Sequence, residues 1–457
     1  MGHSTNCPCP LSALETGRLG DDSDDSSGSQ AIRAYVGAAS RAGAISRGVS
    51  GMGFHTLDDF SVRGKKVLLR IDINSPVDER TLRLVDGSKI RSSIPTIREL
   101  LDRGARVAIL AHQGRPGDYD FIPLNEHAAF MTQYLGRRVR YVDDLIGAHA
   151  LKALDGLGDG DCVLLRNVRH LPDEQAKKSP DEHAESNLVK VLSPEFDIFV
   201  NDAFGSSHRS HASLVGFTAV MPSAAGRLME QEIKTLTRVI QNPKRPSTFI
   251  FGGAKFADAI PIIERLSERE TCDDILVAGL AGYAFLWATG KRIGSKTEEL
   301  VSKDATEEVI ASAKQLLEKH KEKIHLPVDA AIDVEGKRAE FLMEDLPEDA
   351  AIKDIGTGTI GMFVDVVSRS RTIFLSGPPG VFEKDEFRKG TEELFHAIVE
   401  SEAFSVIGGG HSSAAANKLG VLEQFSYASS GGGALERLML GKQMPVVEAL
   451  RESARKF

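Results

Sequence analysis

From residue 54 onward, short apolar runs alternate with helical segments, and each run ends directly in a polar cluster or a glycine. The runs at 67–73, 107–111, 162–165 and 196–200 lead into Arg, His, Asp and Asn. Those at 248–251, 275–278, 372–375 and 405–407 lead into Gly. Uninterrupted apolar strands separated by helices belong to parallel sheets covered on both faces, because a strand with one wet face would alternate polar and apolar residues. Such sheets bind ligands beyond the carboxyl ends of their strands, where these clusters and glycines fall. A helix opening at Ser92 and Ser93 with Pro95, carrying Ile97, Leu100 and Leu101 and closing at Gly104, fits between the first two strands.

The two halves divide the chemistry. Before residue 212 stand Arg70-Ile71-Asp72-Ile73-Asn74, Lys89-Ile90-Arg91, His112-Gln113-Gly114-Arg115, Arg166-Asn167-Val168-Arg169 and the segment from Asn201 to His211. Cations converging from several strand ends suit a small, multiply charged anion. After residue 250 stand Gly252-Gly253-Ala254-Lys255, Gly377-Pro378-Pro379-Gly380, Gly408-Gly409-Gly410-His411 and Gly431-Gly432-Gly433. Bare amides at glycine turns suit a nucleotide polyphosphate, since the main chain can approach it closely. An anion-holding half and a nucleotide-holding half predict phosphoryl transfer. None of these four glycine clusters matches the P-loop spacing or GxGxxG.

At 457 residues the chain exceeds one ordinary core and predicts two domains. The expected boundaries are a disordered extension at 1–53, an anion-binding domain at 54–222, an interdomain helix at 223–243, a nucleotide-binding domain at 244–435, and a C-terminal segment at 436–457 that packs back on the hinge or the first domain. The extension is rich in Ser and Asp and has no apolar face to bury. A net charge of −9 argues against a nucleic-acid partner and makes the basic clusters a local device. No apolar run reaches membrane-spanning length. Cys7, Cys9, Cys162 and Cys272 form no metal-ligand framework, and the last two sit in apolar stretches, which favours a reducing, cytoplasmic setting.

The segments Arg70 to Pro76, Gly114-Arg115-Pro116, Asn201-Asp202-Ala203-Phe204-Gly205 with His208-Arg209 and His211-Ala212-Ser213, Gly252 to Lys255, Gly377 to Glu383, and Ser430 to Ala434 together resemble phosphoglycerate kinase, its archaeal branch in particular, over roughly residues 54–450. The resemblance implies an α/β fold of two Rossmann-like three-layer αβα domains with parallel sheets, joined by a connector helix and closing about a hinge. It implies reversible transfer between ATP and 3-phosphoglycerate, giving ADP and 1,3-bisphosphoglycerate, in glycolysis and gluconeogenesis, with Mg2+ as Mg-ATP or Mg-ADP. A monomer is expected, with a dimer as the alternative.

By the same resemblance, Asp72 and Asn74 orient the glycerate, while His112, Arg115, Arg169 and Arg209 hold its carboxylate and phosphate. Arg91 lies against the transferring group, and Lys255 shares that catalytic role from the nucleotide side. Glu383 takes the ribose hydroxyls, and Gly409, Gly410, His411 and Ser412 surround the terminal phosphates. The residue types fit: transfer of a phosphoryl group needs alignment and positive charge far more than a general base.

Two positions depart from the family pattern. Ala259 stands where a second lysine is usual, and His411 where an aspartate usually meets magnesium. Histidine is a poor ligand for a hard, oxygen-seeking ion. The magnesium ligands are therefore open, with Asp329, Asp333 and Asp354 as the acidic candidates. A non-catalytic paralogue that binds the same ligands is one competing reading, and a dinucleotide-dependent oxidoreductase is the other.

Overall fold

The computed structural model describes residues 51–254 and 256–457; the expected extension, through residue 50, and Lys255 lie outside the described residues. Residues 51–53 belong to the ordered body, where the Met52 carbonyl accepts from Arg451 Nε at 3.2 Å.

The first half is a six-stranded, all-parallel sheet. Its strands are β1 (Lys66–Ile71), β2 (Arg106–Leu110), β3 (Val139–Val142), β4 (Cys162–Leu165), β5 (Ile198–Asp202) and β6 (Ser223–Ala225), in the order β3-β4-β2-β1-β5-β6. Both faces are covered, as uninterrupted apolar strands require. Val67, Leu69 and Ile71 enter one core and Leu68 the other. The second half repeats the design with β7 (Ser247–Phe251), β8 (Asp274–Val277), β9 (Ile324–His325), a separate antiparallel trio of β10 (Asp329–Val334), β11 (Lys337–Leu342) and β12 (Ile352–Ile355), and then β13 (Thr372–Ser376), β14 (Phe404–Gly408) and β15 (Tyr427–Ala428). Its main sheet runs β15-β14-β13-β7-β8-β9, again all parallel. Phe249 and Phe251 face one core and Ile250 the other. The antiparallel trio was not anticipated, because its strands interleave charged residues with short apolar stretches and β11 is largely exposed.

Chain order reverses at β1 in the first sheet and at β7 in the second, and an open parallel sheet leaves its crevice at such a point. The helix joining the halves spans Arg227–Gln241, and residues 223–225, expected to open the connector, instead form β6 of the first sheet. Glu232 of this helix is fully buried and accepts from Ser429 Oγ at 2.8 Å and from Ser430 N and Oγ at 2.6 and 2.7 Å. The C-terminal helix Pro445–Lys456 returns to the first half. There Val446 N donates to the Ser207 carbonyl at 3.3 Å and Lys456 Nζ to the Ala219 carbonyl at 2.8 Å.

The helix after β1 begins at Ser88, four residues before the expected start, and carries Pro95 in its interior. Proline gives up its own N–H and crowds the carbonyl four residues back, but the first turn still forms ahead of it, with Arg91 N donating to the Gly87 carbonyl at 2.9 Å. This earlier start decides which basic residue faces the site.

Candidate active site

The ends of β1, β2, β4 and β5 bring Asp72, His112, Arg169 and Arg209 to one side of the first sheet, with Arg70 beneath them. Arg70 is almost wholly buried. Its Nε donates to Ser213 Oγ at 2.9 Å, one NH2 group donates to His112 Nδ1 at 3.1 Å, and the other meets the Ile71 carbonyl. Ser213 passes the contact on, since its Oγ donates to Glu174 Oε1 at 2.6 Å and its N to Oε2 at 2.8 Å. Burial pushes the Glu174 carboxyl above its usual range, against the pull of the Arg70 charge and the Ser213 hydroxyl.

A guanidinium can only donate, so His112 Nδ1 is the acceptor and the ring proton sits on Nε2. Burial, together with the Arg70, Arg169 and Arg209 charges, holds this imidazole well below its ordinary pKa, against the attraction of Asp72. It is therefore a neutral donor at physiological pH. The KM for the anionic substrate is expected to show no limb from His112 above pH 6.5. Comparing pH profiles of wild type and His112→Gln checks this, and a limb that vanishes in the variant contradicts it.

Asp72 Oδ2 accepts from Ser206 Oγ at 2.7 Å and Oδ1 from Asn74 N at 3.2 Å. Burial opposes its ionisation, but the Lys89 charge, the Ser206 hydroxyl and the Arg70 charge hold the carboxyl far below its usual range. Asn74 uses Oδ1 to accept from Gly114 N at 2.8 Å, which fixes the turn that presents Arg115. Arg169 is buried beside the Gly114 carbonyl with its Nε unpartnered among the described residues. Burial and the Arg209 and Arg70 charges bring its pKa down to about 10. Arg209 is half-buried, its Nε directed to His208 Nε2 at 3.1 Å, and Arg115 is exposed. The cluster is thus a set of like charges with few internal partners, which is costly unless an anion completes it.

Arg91 is not in this cluster. It is exposed, with its guanidinium 5.0 Å from the centroid of the Tyr134 ring. Lys89, half-buried in the same first turn, is the residue whose charge reaches Asp72. Residues two apart on a helix lie on different faces, so only one of the pair can address the site. Arg70, Lys89, Glu174, Ser206 and Ser213 are site residues that the sequence reading left without a role. Lys89 was within reach had the helix been started at Gly87.

In the second half a cleft of about 560 Å³ opens at the carboxyl ends of β7, β8, β13 and β14. Its lining includes Gly252, Gly279, Gly377, Glu383, Gly409, Gly410, His411 and Ser412. At the reversal point Gly252 N donates to the Ser376 carbonyl at 2.9 Å and Gly253 N to the Pro378 carbonyl at 2.8 Å. A Cβ on Gly377 would strike the Gly252 carbonyl, so glycine is demanded here by backbone meeting backbone. The helix Gly410–Lys418 starts at the rim with exposed His411 in its first turn. Buried Ser412 accepts from Gly377 N at 2.7 Å, tying the two glycine turns together. Glu383 is exposed, with Lys418 Nζ donating to its carbonyl at 3.1 Å and its carboxylate left available. Ala259 lines the cleft, and among the described residues Lys353 is the only lysine or arginine that does so.

The three acidic candidates for magnesium are engaged elsewhere. Asp329 caps the helix Thr357–Arg369 by accepting from Gly358 N at 2.7 Å and Thr359 N at 2.8 Å. Asp333 accepts from Gly336 N at 2.8 Å in the turn between β10 and β11. Asp354 is buried and accepts from Arg338 and Gly390 N at 2.7 Å each, while burial pushes its pKa up to about 6. No cluster of three or more metal-ligating side chains occurs among the described residues.

The family model for phosphoglycerate kinase matches residues 57–442, a span that takes in both the basic cluster and the glycine-lined cleft. The chain belongs to the phosphoglycerate kinase family. It is 43% identical over 403 residues to the phosphoglycerate kinase of Methanothermus fervidus, covering 88% of this chain and 98% of the relative. It is 40% identical over 409 residues to that of Sulfurisphaera tokodaii, covering 89% and 97%. Among solved structures, the phosphoglycerate kinase of Pyrococcus horikoshii OT3 superposes with a TM-score of 0.82 at 36% identity, over 88% of this chain and all of that one. The two parallel sheets and the connector are therefore those of the phosphoglycerate kinase fold, and the oxidoreductase reading falls away.

Proposed function

We propose that this chain catalyses reversible phosphoryl transfer between ATP and the carboxylate of 3-phosphoglycerate, yielding ADP and 1,3-bisphosphoglycerate, as a glycolytic enzyme of the cytoplasm. The observation that carries the reading is the pairing of an under-neutralised cationic cluster with a glycine-lined cleft, on two sheets joined by one helix. In this reading Arg169, Arg209 and Arg115 grip the substrate carboxylate and phosphate, and the Nε2–H of His112 adds a neutral donor. Asp72 and Asn74 orient the hydroxyl end. Lys89, in place of Arg91, brings the mobile positive charge to the transferring group, where charge spreads over three oxygens. Arg70, Ser213 and Glu174 hold the cluster from below without touching substrate.

On the nucleotide side the amides of Gly409, Gly410 and Ser412 receive the terminal phosphates and Glu383 the ribose diol, with Lys255 as the further cation. Donors fixed in the backbone need no reordering during transfer. A magnesium ion carried with the nucleotide would supply charge neutralisation at its phosphates. Asp258, Glu383 and Glu436 are the carboxylates lining the cleft, and a hydrated magnesium needs only one or two of them.

A coupled assay for ATP-dependent formation of 1,3-bisphosphoglycerate by purified protein tests the reading, and absence of turnover with tight binding of both substrates would support the non-catalytic alternative. Arg115→Ala and Arg209→Ala are expected to raise the KM for 3-phosphoglycerate with little change for ATP. Steady-state kinetics with each substrate varied in turn separates the two. His411→Ala is expected to keep the magnesium requirement and to shift nucleotide affinity only a few-fold, because the loop holds phosphate through its amides. Ser412→Ala is expected to cost more, since it leaves the Gly377 amide unsatisfied, a loss of about 1–3 kcal/mol. Nucleotide titrations of the two variants rank them.

A further inference from the structure

A second cleft, of about 610 Å³, lies between the connector helix Arg227–Gln241, the end of the helix Phe256–Ser267 and the C-terminal segment. It shares no lining residue with the nucleotide cleft or the basic cluster. Its charged lining is Lys234, Arg238, Arg265, Lys442 and Arg451 against a single carboxylate, Glu448, which already pairs with Arg451 NH1 at 2.7 Å. That excess stands in a chain with 65 acidic and 56 basic residues, so it is opposite in sign to the protein around it.

Arg265 is the one of the five with a buried nitrogen left unpartnered among the described residues. Its NH1 donates to the Leu440 carbonyl at 2.8 Å, but its Nε is buried without a partner among the described residues. Gly441, at φ +64°, leaves the space this guanidinium occupies, and a Cβ there would overlap it. Arg238 lies 4.9 Å from the centroid of the Phe404 ring, a stacking contact that leaves its in-plane N–H donors available. Lys234 and Lys442 are exposed and have no acidic partner among the described residues.

We propose that this hinge cleft binds a small, multiply charged anion of the oligophosphate class, through Arg265, Lys234, Arg238 and Lys442. An occupant would tie the connector helix to the C-terminal segment, whose helix packs on the first half. It would thereby bias the hinge without entering either substrate site.

The test is calorimetric titration of inorganic tripolyphosphate into the full chain, with ADP and 3-phosphoglycerate saturating so that neither substrate site takes the probe. Wild type is expected to bind one equivalent. The Lys234→Glu/Arg238→Glu/Lys442→Glu variant is expected to bind at least about tenfold more weakly, as loss of several charge-assisted contacts demands. A second triple variant, Lys303→Glu/Lys314→Glu/Lys321→Glu, makes the same change in net charge at exposed positions outside the cleft, and should bind as wild type does. Failure of wild type to bind, or equal weakening in both variants, overturns the proposal. Melting temperatures of both variants show that they are folded, and Arg265→Gln, which keeps the side-chain bulk, must also weaken binding.

Discussion

Lys89→Ala is expected to lower turnover by about three orders of magnitude, the usual scale for losing a cation at a transferring phosphoryl group. Arg91→Ala is expected to cost less than about tenfold. The distinction rests on the helix Ser88–Asp102, which sets Arg91 against Tyr134 and leaves Lys89 as the residue of the pair whose charge reaches Asp72. Neither residue is buried, so both variants should fold and the comparison is one of kinetics alone. Lys89→Arg should retain a substantial share of turnover, because it keeps the charge on the same face. Measured kcat values reverse the assignment if Arg91→Ala proves the slower enzyme.

Arg70→Met carries the largest expected loss of stability, about 3–5 kcal/mol. The side chain is almost wholly buried, and its removal strands Glu174, a carboxylate with 1% exposure, beside a Ser213 hydroxyl that has lost its donor. Breaking one partner of a buried charged pair leaves the other desolvated and uncompensated, and that cost exceeds the lost contact itself. Adding Glu174→Gln should recover part of the loss, because a neutral amide costs less to bury. His112 would also lose the donor that holds its proton on Nε2, so the glycerate KM should rise in the single variant. Denaturant titration of the single and double variants decides it, and a single variant within about 1 kcal/mol of wild type would refute the structural role.

Much of the site was legible without coordinates because it depends on local pattern. An apolar run followed by Arg, His or Gly is a strand with its carboxyl end at a crevice, and that rule alone placed Asp72, His112, Arg169 and Arg209 on one side and the glycine turns on the other. Long-range pairing was not legible in this way. Arg70 and Ser213 stand 143 residues apart, and nothing in either segment marks them as partners. Asp329 and Asp354 looked like free acids near a nucleotide site. Their carboxylates are instead consumed by a helix cap and by Arg338, which an unanticipated hairpin strand supplies.

The sequence by itself determined two parallel sheets, a basic half and a glycine-rich half, since these follow from apolar periodicity and residue type along a short stretch of chain. Only the tertiary structure set Arg91 against the Tyr134 ring, linked buried Arg70 through Ser213 to Glu174, and joined a cationic cleft from three distant segments at the hinge. The physical reason is that a side chain's role depends on its direction and on its desolvated neighbours. A two-residue step around a helix turns it by roughly 200°, and its neighbours come from parts of the chain that meet only after folding.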